Sequence, residues 1–175
     1  AKSDSANVDW QRDLSVSLNK LGCLTITRGQ LQAAECFFSQ DLDIAKRLAE
    51  SDHTNTDWQR DLSVSLERLG DLAIAQDKPQ DAELFFSQVL EIAKRLAESD
   101  RANADWQRCL SVALEKLGNL ATVRGQLQDA ERFFSEALGI RERLAKSDHT
   151  NAGWQRDLFV SFIKLAELKA AQTQT

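Results

Sequence analysis

The chain has 175 residues, 42% of them hydrophobic and 28% charged, which is long and apolar enough to bury a core and excludes a disordered polyelectrolyte. Its net charge is -5, with a pI near 5.1 and no basic block, so its field would repel phosphate backbones and nucleic acid is not an expected partner. No run of about 18 apolar residues occurs and the opening AKSDSANVDW has no apolar core, so neither a membrane span nor a signal peptide is expected in it.

The sequence repeats. DWQRDLSVSL stands at 9–18 and, unchanged, at 57–66; DWQRCLSVAL follows at 105–114 and GWQRDLFVSF at 153–162. Aligning 9–56 with 57–104 gives 32 identities in 48 positions, so one structural element is being reused. The expected organisation is a single array: repeat 1 over 7–54, repeat 2 over 55–102, repeat 3 over 103–150 and a last helix over 151–172. There is no Met, even at position 1, and AKSD matches the tail of each repeat, as expected of a piece of a longer protein.

In chain order, each repeat reads as two helices of roughly 20 residues, about 30 Å long at 1.5 Å per residue. The first begins after an asparagine (Asn7, Asn55, Asn103, Asn151), a residue suited to accept a bond from an unpaired helix N–H. Trp10, Leu14, Leu18 and Leu21 follow as one predicted apolar stripe. Gly29 and Gly125 are predicted stops; QDKPQ replaces the glycine in repeat 2, with Pro79 at a first helical position. The second helix carries Leu31, Ala34, Phe38, Leu42, Ala45 and Leu48, again spaced by threes and fours, and ends in the polar turn AESDHTN. Gly22, Gly70 and Gly118 each cost about 1 kcal/mol relative to Ala inside a helix, which predicts backbones in close contact opposite the small Ala residues.

Leu21-Gly22, Gly29, Ala34 and Phe38, and again Leu117-Gly118, Gly125, Ala130 and Phe134, resemble the tetratricopeptide repeat family. Repeat 2 keeps Leu69-Gly70, Ala82 and Phe86 but has Asp77 at the turn. The 48-residue repeat is similar to the long-helix variants of the kinesin light chains. The resemblance implies an all-α fold: an α-solenoid of antiparallel helix pairs in a right-handed superhelix, seven helices in all. It also implies a noncatalytic scaffold binding a peptide or a partner helix on the concave face lined by the first helices.

Carried over position by position, that face holds Arg12, Val16, Asn19, Cys23 and Ile26 in repeat 1, and Arg60, Val64, Glu67, Asp71 and Ile74 in repeat 2. Repeat 3 contributes Arg108, Val112, Glu115, Asn119 and Thr122. These positions vary within a repetitive chain, as tuned recognition or as mere exposure would allow. The arginine row, completed by Arg156, has two readings: a bidentate clamp on carboxylates of an acidic peptide, or a ladder of ion pairs with Asp13, Asp61 and Asp157 that must cross between helices. Phe37-Phe38, Phe85-Phe86 and Phe133-Phe134 read as core, one of each pair reaching the next repeat.

The last helix departs from the pattern. Phe159 replaces Ser15, Ser63 and Ser111; Ile163 replaces Asn19, Glu67 and Glu115; Ala166 stands where Gly22, Gly70 and Gly118 stood. Phe159 and Ile163 form an apolar strip, the basis of the alternative reading as a spacer or oligomerisation element, a homodimer through the C-terminal helix included.

No nucleophile–base constellation, phosphate loop or metal-ligand spacing can be drawn, so neither catalysis nor a cofactor nor a metal is expected. His53 and His149 lie in equivalent turns two repeats apart, and Cys23, Cys36 and Cys109 neither recur nor form a CxxC pair. A reducing, cytoplasmic compartment fits this cysteine usage.

Overall fold

The computed structural model describes residues 2–173, with side chains described for 7–173. Every regular element among them is a helix: α1 (Lys2–Thr27), α2 (Leu31–Ser51), α3 (Thr56–Ala75), α4 (Pro79–Ser99), α5 (Ala104–Val123), α6 (Leu127–Ser147) and α7 (Ala152–Gln172). The fold class is all-α, of the α-solenoid type with helices paired antiparallel. The chain divides into two compact units, Ala1–Ile92 and Ala93–Thr175, with the division inside α4. In the first unit α2 packs on both α1 and α3; in the second α6 packs on both α5 and α7.

The expected starts form at three of four asparagines. Asn55, Asn103 and Asn151 each accept from the N–H of the tryptophan three residues on, Trp58, Trp106 and Trp154, at 3.1 Å. At Asn7 the expectation fails: α1 is already helical from Lys2, and the Asn7 side chain accepts instead from the Gln11 amide at 3.1 Å. The equivalent glutamines elsewhere reach back to the preceding helix and fix the turn, whereas Gln11 is engaged locally.

The stops form as expected. Gly29 and Gly125 take φ of 71° and 72°, and Asp77 takes 58°, a left-handed conformation that aspartate tolerates better than most residues. Each closes its helix with a pair of backbone bonds, as when Gln30 N–H donates to the Thr25 carbonyl and Gly29 N–H to that of Ile26, both at 2.9 Å. Pro79 is the first residue of α4, where its missing N–H costs nothing.

Two packing expectations change. The helix glycines face aromatic rings rather than alanines: a Cβ on Gly118 would stand 2.6 Å from Phe134 Cε1, and Gly22 and Gly70 meet Phe38 and Phe86 in the same way. The missing side chain makes room for a ring. The α1 stripe is not core throughout either: Leu18 is buried, but Trp10 is 73% exposed and Leu14, Leu21 and Leu24 are exposed. In α3, which α2 covers, Leu66, Leu69 and Leu72 are buried and Trp58 packs against the cluster of Leu18, Ile44 and Leu48, which Phe37 also joins. A second cluster of the first unit joins Ala34 and Phe38 to Leu69 and Leu72; in the second unit Ala121, Ala130, Phe134 and Leu168 form its counterpart.

Candidate protein-interaction face

The Trp-Gln-Arg triplet resolves into three packing roles. Trp58 is half-buried in the cluster just described. The glutamine amide donates to the backbone carbonyl of an alanine ten residues earlier: Gln59 to Ala49 at 2.9 Å, Gln107 to Ala97 at 3.3 Å and Gln155 to Ala145 at 3.0 Å. Each bond satisfies one of the carbonyls left open at the end of a second helix and ties it to the next first helix. Sequence reasoning missed this staple, although a Gln and an Ala that both recur at fixed separation were visible in the sequence.

The arginines bridge first helices. Arg12 Nε donates to Asp61 Oδ2 at 2.6 Å, and Arg108 Nε to Asp157 Oδ2 at 2.7 Å. These bonds, chiefly, hold both guanidinium groups above their ordinary pKa. The ladder reading therefore describes Arg12 and Arg108. Forty-nine residues after Arg60 stands Cys109 in place of an aspartate, and Arg60 is exposed. Arg156 is also largely exposed, 3.9 Å from its neighbour Asp157.

Each unit also contains a buried polar node. Asp41 of α2 accepts from Ser15 and from Asn19 Nδ2 (2.9 Å) of α1 and from Ser65 Oγ (2.9 Å) of α3. Arg141 of α6 donates to Ser111 Oγ of α5 (3.2 Å) and Ser161 Oγ of α7 (2.8 Å), and pairs with Glu115 Oε2 at 2.6 Å.

These contacts sort the expected groove residues. Val16 and Val64 are exposed on α1 and α3, and Ile74 is exposed at the end of α3. Val112 and Asn119 are half-buried on α5, where Thr122 is exposed with its hydroxyl donating to the Gly118 carbonyl. Asn19 and Glu115 face the following second helix through Asp41 and Arg141, and Cys23 and Ile26 pack against the Phe38 cluster. Glu67 and Asp71 are half-buried and each makes a polar or ionic interaction.

On α7, Phe159 is 64% exposed, Phe162 50% and Ile163 39%. His53 and His149 are exposed, and among the described residues no group of side chains could hold a metal ion. No helix among the described residues is long and apolar enough to cross a membrane. A cleft of about 450 Å³ in the second unit has an apolar floor of Leu110, Ile140 and Leu144, with Arg101 and Arg143 at its rim.

The tetratricopeptide repeat model matches residues 14–55 and 110–151. Those two segments are tetratricopeptide repeats. Among solved structures, BtubC (BKLC) from P. vanneervenii, a kinesin-light-chain-like tetratricopeptide fold, superposes with a TM-score of 0.61 at 18% identity over 93% of this chain. This chain spans 65% of the length of that one, and the likeness is one of fold. Comparison with curated proteins finds no match. Tetratricopeptide repeats generally mediate protein–protein interaction and are typically noncatalytic.

Proposed function

We propose that the chain is a noncatalytic scaffold holding a peptide or a partner helix against the free face of its first helices. One observation carries this reading: Val16 and Val64 remain exposed on α1 and α3, two helices tied together by the Arg12–Asp61 bond, with exposed Arg60 one turn before Val64. Apolar side chains held in fixed register beside a cation suit a segment that pairs an apolar anchor with a carboxylate. In the second unit Val112 and Arg108 occupy the corresponding positions, with Arg108 already bonded to Asp157. The cation open to a ligand in the first unit is thus Arg60 rather than Arg12, whose guanidinium holds Asp61.

Selection of binders from a random peptide library against the whole chain tests this. Enriched peptides should combine acidic and apolar residues and bind Val64→Glu and Arg60→Glu at least about tenfold more weakly, with thermal midpoints unchanged. Peptides that bind both variants at full affinity would overturn the reading.

A further inference from the structure

The strip on α7 lies where α1 and α5 receive their own second helix. Ser15 and Asn19 of α1 bond to Asp41 of α2, and Ser111 and Glu115 of α5 bond to Arg141 of α6. The α7 residues at these positions are Phe159 and Ile163, which offer no such bonds. At the next turn the difference is steric: Gly118 leaves its Cβ space to the Phe134 ring, and Ala166 stands at the same position of α7. A helix with the Phe of α2, α4 and α6 does not seat on this face, which therefore fits a different occupant.

Phe159, Ile163, Ala166 and Ala170 follow at spacings of four, three and four, so they share one stripe, with Phe162 along one edge and Arg156 and Glu167 along the other. Leu165 and Leu168 pack against α6, and Ser161 bonds to Arg141 from the same side, so the stripe faces away from α6. The large residues of the stripe, Phe159 and Ile163, lie together in its N-terminal half, so an antiparallel copy that pairs this half with itself buries them against one another. The charges agree: in an antiparallel pair like edges meet, and the midpoint between Arg156 and Glu167 falls within the Phe159–Ile163 stretch. A dyad there sets Arg156 of each helix against Glu167 of the other while the apolar centres coincide.

We propose that α7 is a self-association surface, joining two copies of this chain as an antiparallel, two-fold α7–α7 pair centred on Phe159, Phe162 and Ile163 and flanked by two symmetric Arg156–Glu167 pairs. An isologous contact of this kind closes at two copies.

Sedimentation equilibrium of the whole chain across a concentration series tests it. A monomer–dimer equilibrium is expected, lost in Phe159→Ser with Ile163→Glu, weakened about tenfold or more in Arg156→Glu and restored in Arg156→Glu with Glu167→Arg. Because these side chains are exposed, the variants should keep the parent's helical signal and thermal midpoint. Trp10→Ser with Leu14→Glu, which alters the exposed stripe of α1, should leave the dimer intact. A monomer at every concentration, a dimer that only the α1 variant breaks, or a charge swap that fails to restore association would overturn the proposal.

Discussion

The buried centres of the two units occupy the same place and carry opposite charge. In the first, Asp41 lies between serines of two successive first helices; in the second, Arg141 lies between Ser111 and Ser161. A hydroxyl can donate or accept, so one serine framework serves an anion in one repeat and a cation in another. The difference lies in completion. Asp41 is satisfied by donors alone, two hydroxyls and the Asn19 amide, whereas Arg141 also needs the Glu115 carboxylate. The cationic centre is thus the more vulnerable to loss of one neighbour.

Glu115→Ala should give the largest effect, about 3 kcal/mol in chemical denaturation, because Arg141 is left buried without its carboxylate. Combining it with Arg141→Met should recover most of that loss. If the single variant costs no more than Asn19→Ala at the other centre, expected at about 1 kcal/mol, the two nodes do not differ as described.

The same comparison extends to the tryptophans. Trp58→Ala, which empties a half-buried site against Leu18, Ile44 and Leu48, should cost about 2 kcal/mol. Trp10→Ala, at an exposed site, should cost under about 0.5 kcal/mol. Thermal or urea unfolding of the two variants compares an identical residue in an identical decapeptide and isolates what the preceding helix contributes. Gln59→Ala, which strips the staple from the Ala49 carbonyl, is expected between them at about 1 kcal/mol.

The smallest expected effect concerns the turns. Asp52 and Asp148 sit below the ordinary carboxylate range, chiefly because the hydroxyls of Thr54 and Thr150 donate to them. A depressed folded pKa stabilises above the unfolded value, and that contribution disappears as the pH falls through the folded one. Thr54→Ala should raise the Asp52 midpoint toward its ordinary value in a carbon-detected NMR titration. An unchanged midpoint would remove the hydroxyl as the cause.

Much of the fold was legible because it is written several times over. The helix ends at Asn55, Gly29 and Pro79 follow from local chemistry, and the core stripe of Ala34, Phe38 and Leu48 follows from a spacing that each repeat restates. The readings that needed correction depend on what lies across a helix. The exposure of Trp10 depends on a neighbouring helix, not on its own decapeptide, and the space left by Gly22 is filled by a ring sixteen residues away. Asn19 and Glu115 were placed in the groove by the family resemblance, and Asp41 and Arg141, which draw them inward, have no charged counterparts in the other repeats. The Gln staple needed the turn geometry that brings the Ala49 carbonyl to Gln59.

The division between what repeats for packing and what is open for recognition is tested by measuring stability and peptide affinity together for Gln59→Ala and Val64→Glu, using a peptide selected on the parent chain. Gln59→Ala should lower the unfolding free energy and leave the affinity of the folded protein unchanged, whereas Val64→Glu should lower the affinity and leave stability unchanged. The reverse pattern, with Gln59 governing affinity and Val64 governing stability, would contradict it.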